Sequence, residues 1–153
     1  MNAQPIVQVE DLDVYYGTSQ ILFGVALAVR QGETMALLGR NGAGKSTTMK
    51  AIMGLAPARR GRVTLKGRVV SGLKPHHIAR AGLGFVPEDR QIFPEHTVED
   101  NLVIGAKKGP NGEDDWSIRR IYDVFPLLEP LRNRIAGRLS GGEQQMLAIA
   151  RTL

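Results

Sequence analysis

The 153-residue chain is long enough to bury the core of one domain, and its hydrophobic (42%) and charged (23%) contents are ordinary for a globular protein. It has no cysteine, which excludes a disulfide framework, a thiolate metal site and a cysteine nucleophile. The net charge of +5 comes from dispersed basic residues, and only 5% of the residues are aromatic. We therefore expect a solvated or phosphate-facing basic edge and no nucleic-acid partner.

The sequence shows neither a membrane span nor a secretory signal. Its longest apolar stretch, residues 21–29, is interrupted by Gly24 and is too short for a bilayer. The first residues lack a basic region followed by an apolar core. We therefore expect a cytoplasmic location.

The N-terminal part has the alternation of apolar residues that is typical of β-strands. We predict strands at residues 6–9 and 12–16, a turn at Gly17, and a strand pair across residues 21–29 that is interrupted at Gly24. An antiparallel meander at the edge of an α/β core explains this pattern best.

The segment that follows carries the strongest motif. An apolar run at residues 35–38 predicts a buried strand, and residues 47–53 predict a helix that ends at Gly54. Between them, residues 39–46 read GRNGAGKS and match the pattern G-x-x-x-x-G-K-[ST] at every fixed position. The alternative is a glycine-rich turn with an incidental lysine, but the strand and helix on either side favour a phosphate-binding loop.

Each fixed residue of this loop has a physical task. Gly39, Gly42 and Gly44 lack a Cβ, so the loop can turn its backbone N–H groups toward an anion at the positive end of the following helix. Lys45 can reach the β- and γ-phosphates, and the Ser46 hydroxyl can bind Mg²⁺. The motif therefore predicts binding of a nucleoside triphosphate.

Two aromatic residues, Tyr15 and Tyr16, precede the turn at Gly17. An exposed aromatic ring near a nucleotide site can stack on adenine, whereas a strand residue can simply pack on the sheet. The residues themselves leave both interpretations open.

The middle of the chain predicts further short elements. We expect a loop at residues 57–61, a strand at residues 62–66, a helix at 76–81 after Pro75, and a buried strand at 84–87. Thr97 and Asp100 form a capping-box pattern for a helix whose apolar face is Leu102, Val103 and Ala106. An exposed loop at residues 107–115 and an amphipathic helix at 116–125 follow.

The last motif, LSGGEQQM at residues 139–146, predicts a second helix start that faces an anion. Ser140 is a natural N-cap, and the two glycines that follow it each cost roughly 1 kcal/mol in a helix relative to alanine. That cost is understandable where a ligand must approach the backbone closely. The alternative is an ordinary capped helix that tolerates the glycine pair.

Together these motifs resemble the ATP-binding subunit of an ABC (ATP-binding cassette) transporter, in the right order over the whole chain. The resemblance implies an α/β fold, a P-loop NTPase core of ABC type with an antiparallel β edge and a helical subdomain. It assigns adenine stacking to Tyr16 and ATP and Mg²⁺ binding to the motif residues. The phosphate-loop residues are Gly39, Asn41, Gly42, Gly44, Lys45, Ser46 and Thr47, and the signature residues are Ser140, Gly141, Gly142 and Glu143.

The resemblance also divides the chain and suggests a subgroup. Residues 1–90 correspond to the nucleotide-binding core with the antiparallel part, 91–138 to the helical subdomain, and 139–153 to the signature helix. The sequences of residues 85–94 and 97–102 are similar to the corresponding sequences in ATPases of branched-chain amino acid importers and of related urea and amide importers. Glu88 stands where most of the superfamily has a glutamine that contacts Mg²⁺ and the attacking water, and Lys45 and Glu88 are the expected catalytic residues.

The family pattern continues beyond the motifs present here. The family's Asp-Glu pair and switch histidine follow the signature, whereas all three histidines of this chain precede it. We therefore expect a C-terminally incomplete domain that does not hydrolyse ATP by itself.

The expected partners are transmembrane permease subunits and a second ATPase subunit, arranged head-to-tail as a homo- or heterodimer on the inner face of the plasma membrane. The alternatives are a soluble ABC-type ATPase that acts on ribosomes or DNA, and an inactive truncated fragment.

Overall fold

The computed structural model describes residues 4–109, 112 and 115–153. The chain forms two compact units, Met1–Leu83 and Gly84–Leu153. The first unit contains the sheet and the phosphate-loop motif, and the second contains the signature motif.

The first unit is built on a four-stranded antiparallel sheet in the order β2-β1-β3-β4. Its strands are β1 (Val7–Tyr16), β2 (Ser19–Val29), β3 (Ala58–Leu65) and β4 (Arg68–Val69). The predicted antiparallel arrangement is therefore confirmed. Three details were wrong. The strands predicted at residues 6–9 and 12–16 are the single strand β1, and β2 is one strand that continues through Gly24. Strand β3 begins at Ala58, inside the loop predicted at residues 57–61.

A bulge in the middle of β1 explains why β3 needs a glycine. Asp11 has a φ of 46°, and the pairing of β1 with β3 shifts register between Glu10 and Asp13. A Cβ at Gly61 would lie 2.5 Å from the carbonyl oxygens of Glu10 and Asp11, so only glycine fits beside the bulge. Beyond the bulge, Leu12 and Val14 alternate into the core and are fully buried.

Two helices complete the first unit. Helix α1 (Lys45–Ile52) packs against β1 and β2, and helix α2 (Pro75–Arg80) begins with the predicted proline. The core that they share with the sheet consists of Val9, Leu12, Val14, Leu22, Ala51, Ile52, Met53, Ala56, Val63, Leu65, Val70 and Ile78.

The second unit is helical. Its elements are α3 (Val98–Gly105), α4 (Ile118–Val124), two 3₁₀ turns (Glu129–Leu131 and Ala136–Arg138) and α5 (Gly141–Ala150). Their core consists of Val98, Leu102, Ile121, Tyr122, Leu128, Ala136, Leu139, Leu147 and Ala150. The predicted loop at 107–115 lies partly outside the described residues.

Two predicted strands are not present. Residues 35–38 and 84–87 belong to no strand of the described chain, and Leu38 is 91% exposed. A strand exists only where a neighbouring strand accepts and donates its backbone hydrogen bonds, and in the described residues neither segment pairs with another strand. The apolar character of these runs was therefore not enough to make them strands.

The buried face of α3 also differs from the prediction. Leu102 is buried as predicted, but Val103 is 54% exposed, and Ala106 is exposed as well. The face turned inward is instead formed by Val98, Asn101 and Leu102. A polar residue, Asn101, thus occupies a core position that sequence reasoning gave to apolar residues.

The Asn101 side chain is fully buried and holds the segment before α3 in place. Its Oδ1 accepts a hydrogen bond from the Phe93 N–H at 2.8 Å, and its Nδ2 donates to the carbonyl oxygens of Phe93 and Thr97, each at 2.9 Å. One amide thus pairs with three backbone groups.

We predict that Asn101→Ala lowers the free energy of unfolding by roughly 2–4 kcal/mol, because it removes three hydrogen bonds that a fully buried amide makes to the backbone. Urea denaturation at neutral pH measures the loss. Asn133→Ala, at an exposed position of the same unit, is the matched control and is expected to change stability little. Equal losses in both variants would contradict this role of Asn101.

Candidate functional site

The phosphate-loop motif forms a compact turn that leads directly into α1. The Lys45 ammonium group folds back onto it and donates to the carbonyl oxygens of Gly39 at 2.8 Å and Arg40 at 2.9 Å. Gly44 is the N-cap of α1 and supplies no side-chain acceptor to the first turn. The loop therefore presents a positive charge beside a helix N-terminus.

Gly44 sets how closely this loop approaches the sheet. Its φ is 89°, and a Cβ there would lie 2.6 Å from Cδ2 of Leu22 in β2. Leu22 pairs with Val14 of β1, and Thr48 of α1 donates its hydroxyl to the Gly44 carbonyl oxygen at 2.9 Å. The loop, the helix and the sheet are thus joined at one residue without a side chain.

Tyr16 belongs to the same face of the sheet as this contact. Leu12, Val14 and Tyr16 alternate along β1, and the first two are buried under α1. Tyr16 ends the strand and is 50% exposed, opposite Ser19. The structure therefore places a half-exposed aromatic ring at the end of the sheet, on the face that carries the phosphate loop.

Tyr15 faces the other way and is engaged in contacts of its own. Its hydroxyl donates to Oε1 of Gln20 at 2.6 Å, and the Arg59 guanidinium lies 4.4 Å from the ring centroid. Tyr15 is thus the packed member of the aromatic pair, and Tyr16 is the one available for stacking.

In the second unit, the segment that begins at Glu88 is constrained at several points. Glu88 is exposed, and the backbone at Arg90 and Gln91 is left-handed, with φ of 61° and 48°. Arg90 donates to Gln145 and Gln144 of α5 at 3.3 and 3.4 Å. This link between the Glu88 segment and the signature helix was not predicted, because nothing local in the sequence marks it.

Arg151 fixes the same segment from the end of α5. It donates to the Gln91 carbonyl oxygen at 2.7 Å, and its guanidinium stacks 4.5 Å from the Phe93 ring centroid. Burial lowers the pKa of the Arg151 guanidinium from its ordinary value. Sequence reasoning missed this residue as well.

The signature helix begins with a complete capping box. The Ser140 N–H donates to Glu143 Oε2 at 2.7 Å, and the Glu143 N–H donates to Ser140 Oγ at 3.3 Å. No atom would lie within 4 Å of a Cβ added at Gly142, and the closest to one at Gly141 would be an Arg90 nitrogen at 3.6 Å. The predicted helix start is thus present, and the space beside Gly142 is open.

The described residues form neither a metal cluster nor a membrane-spanning helix. They contain no group of three or more His, Asp or Glu side chains that could hold a metal ion. No helix formed by these residues has the length and apolar character needed to cross a membrane.

A G-x-x-x-x-G-K-S loop that leads into a helix and packs on a sheet defines the P-loop class of proteins. Comparison with known proteins narrows the class. The family model described as ABC transporter matches residues 22–153, and the chain therefore belongs to the ABC transporter family.

Two of the relatives are ATP-binding proteins that are named for different solutes. The high-affinity branched-chain amino acid transport ATP-binding protein BraG of Pseudomonas aeruginosa is 38% identical over 94% of this chain and 62% of its own length. The Fe(3+) ions import ATP-binding protein FbpC of Streptomyces avermitilis is 37% identical over 92% of this chain and 40% of its own length.

A solved structure of an ATP binding subunit of an ABC transporter has a TM-score of 0.82 at 30% identity, over 95% of this chain and 60% of that one. The predicted α/β fold of ABC type is thereby confirmed. The chain spans about three fifths of the length of BraG and of this solved chain.

The contact between Gly44 and Leu22 can be tested by adding a methyl group. Both Gly44 and Gly42 have left-handed backbone, but a Cβ at Gly42 would meet no atom within 4 Å. We predict that Gly44→Ala lowers the free energy of unfolding by at least about 1 kcal/mol more than Gly42→Ala, because only Gly44→Ala adds a clash to the backbone strain. Denaturant titration of both variants provides the measurement, and equal losses would show that Gly44 is not a packing position.

The signature cap predicts a pH dependence. Hydrogen bonds from the backbone N–H and the hydroxyl of Ser140 lower the pKa of the Glu143 carboxyl below its ordinary value of 4.5. A lowered folded-state pKa stabilises the fold above the unfolded-state pKa, and the stabilisation is lost as the pH falls through the folded-state pKa. Wild type should therefore be more stable than Glu143→Gln at neutral pH, with the difference disappearing in acid.

The measurement is the free energy of unfolding of both proteins from pH 7 to pH 3. Glu95→Gln, at an exposed position outside the helices, controls for the loss of one negative charge. A difference between wild type and Glu143→Gln that grows toward low pH would have the wrong sign for the capping box.

Proposed function

We propose that this chain is the nucleotide-binding part of the ATPase subunit of an ABC importer and that it binds ATP with Mg²⁺. The observation that carries this proposal is the position of the Lys45 ammonium group, hydrogen-bonded to the Gly39 and Arg40 carbonyl oxygens at the start of α1. The loop carbonyls hold the ammonium group at the loop itself, next to the backbone N–H groups. A triphosphate bound there would meet a fixed cation.

The remaining loop residues fit a phosphate ligand. Gly39, Asn41 and Gly42 are exposed and carry little side-chain bulk over the loop. An anion can accept hydrogen bonds from the first turn of α1, where Gly44 provides no side-chain cap. Thr47, in the same turn, belongs to this binding segment.

Tyr16 would hold the base. Its ring is half exposed on the face of the sheet that carries the phosphate loop, and an aromatic ring in that place can stack on adenine. The contacts of Tyr15 with Gln20 and Arg59 leave Tyr16 as the aromatic residue for this role.

Ser46 and Glu88 are each proposed as Mg²⁺ ligands on the family resemblance. A hydroxyl and a carboxylate are oxygen donors of the kind that Mg²⁺ takes, and this ion keeps several of its ligands as water and phosphate oxygens rather than a cluster of carboxylates. When bound, Mg²⁺ neutralises charge on the phosphate oxygens. Lys45 would hold the γ-phosphate. The contact of Glu88 with the attacking water is proposed from the family resemblance alone.

The signature residues would act on a nucleotide held by a second ATPase subunit. One γ-phosphate can be enclosed by two helix N-termini only if they approach from opposite sides, which favours a head-to-tail pair. Ser140 and Gly142 would contact the phosphate, with Gly141 leaving room for it and Glu143 holding the helix start through the capping box. The division into residues 1–90, 91–138 and 139–153 belongs to this proposal.

Closure of the pair on ATP would drive a transmembrane permease from the inner face of the plasma membrane, and hydrolysis would reset it. The proposed solute is a branched-chain amino acid or a related small solute. The solute in the name of BraG and the sequence of residues 85–94 support a branched-chain amino acid. The solute in the name of FbpC supports iron as the competing proposal. We propose no nucleic-acid partner.

Lys45→Ala tests the nucleotide site. We expect ATP affinity to fall by roughly 10- to 100-fold, because a charge-assisted hydrogen bond to phosphate is lost. Isothermal titration calorimetry with Mg-ATP measures the affinity. Lys50→Ala removes an equal charge from the last turn of α1 and is expected to bind ATP like wild type.

Equal ATP affinities of wild type and Lys45→Ala would contradict the proposed site. Absence of ATP binding by a cooperatively folded wild-type chain would contradict the proposed function of the chain. Co-purification with ribosomes or DNA, instead of integral membrane proteins, would favour a soluble ABC-type ATPase.

A further inference from the structure

We infer that Arg59 is a positioning residue that holds the turn after β1 and thereby orients Tyr16 toward the nucleotide base. This inference rests on the proposed function. Its evidence is a pair of contacts that Arg59 makes on the face of the sheet opposite to Tyr16.

The first contact is with the aromatic neighbour of Tyr16. The Arg59 guanidinium lies 4.4 Å from the Tyr15 ring centroid, within the range of a cation–π interaction. The Tyr15 hydroxyl donates to Oε1 of Gln20, and the Nε2 group of the same Gln20 side chain donates to the Leu22 carbonyl oxygen at 3.0 Å. The Tyr15 ring is therefore held from β2 and from β3.

The second contact is with the turn itself. Arg59 donates to the Gly17 carbonyl oxygen at 3.0 Å, and Gly17 follows Tyr16 directly. Tyr16 is thus flanked by two residues that Arg59 holds, Tyr15 before it and Gly17 after it. Because successive strand residues point to opposite faces, fixing Tyr15 on one face fixes the direction of the Tyr16 ring on the other.

The guanidinium group suits this task. It is planar and always charged, so it can stack on a ring and donate in its own plane at the same time. The neighbouring Arg60 makes different contacts: its side chain is 70% exposed and lies 3.8 Å from Asp11 and 4.0 Å from Asp13. Arg60 is therefore a control of equal charge that leaves the Tyr15 and Gly17 contacts intact.

The experiment compares two ligands that share a phosphate chain, Mg-ATP and inorganic tripolyphosphate, on wild type, Arg59→Ala, Arg60→Ala and Tyr16→Ala. Circular dichroism melts of each variant report whether it is folded. We expect Arg59→Ala to weaken ATP binding by roughly three- to tenfold, since it removes one cation–π contact and one hydrogen bond that order the turn. Its affinity for tripolyphosphate should be unchanged, because that ligand has no base.

Two further variants separate positioning from other roles. Arg59→Lys keeps the charge but not the planar fork, and we expect ATP affinity between those of wild type and Arg59→Ala. In a Tyr16→Ala background, Arg59→Ala should weaken ATP binding no further, because the two residues act through the same contact.

Several results would overturn the role of Arg59. Equal ATP losses in Arg59→Ala and Arg60→Ala, or an equal loss for tripolyphosphate, would show a general effect of charge. Additive losses in the double variant would show that Arg59 acts independently of Tyr16. Unchanged ATP affinity in Tyr16→Ala would remove the base contact but leave the phosphate site, which Lys45→Ala tests separately. Absence of ATP binding by wild type would overturn both proposals.

Discussion

The phosphate loop lies close against the sheet at Gly44, where an added side chain would force a neighbouring residue to move. A Cβ there would fall 2.6 Å from the Leu22 side chain, in the space that the loop needs to enter α1. Leu22 pairs with Val14 in β1, and Val14 lies two residues before Tyr16 on the same face. One close contact thus brings the start of α1 and the proposed base-stacking residue to the same side of the sheet.

The two faces of the sheet make different contacts. One face packs on α1 and carries the loop with its lysine, and the other carries the contacts of Tyr15 with Gln20 and Arg59. In the second unit, two polar side chains hold one backbone segment. The Asn101 amide and the Arg151 guanidinium hold the backbone from Gln91 to Thr97, next to the segment that carries Glu88.

The features that could be predicted from the sequence are those that depend on residues close together in the chain. The capping boxes at Thr97 and Ser140 need only a few adjacent residues, and both are present in the structure. The pairs β1–β2 and β3–β4 also have their partners close by along the chain, whereas the pairing of β1 with β3 joins distant residues such as Val7 and Leu65. Residues 35–38 and 84–87 look equally strand-like, but pairing depends on a neighbour that local propensity does not reveal, and in the described residues neither is paired.

The contacts missed at the site are non-local. Arg59 reaches Gly17 across 42 positions of the sequence, and Arg90 reaches Gln145 across 55. An arginine has no local pattern that marks such a contact. The left-handed backbone at Arg90 and Gln91 was equally hidden, since neither residue is a glycine.

We propose that this chain holds the phosphates of ATP at the loop before α1 and the base at Tyr16. The most direct measurement is an NMR titration of the isotopically labelled chain with Mg-ATP, with the backbone and the tyrosine ring resonances assigned. We predict the largest shifts at the amides of residues 42–48 and at the Tyr16 ring, with much smaller shifts at the Tyr15 ring. Unchanged amide resonances at residues 42–48, or shifts at the Tyr15 ring without shifts at the Tyr16 ring, would contradict this proposal.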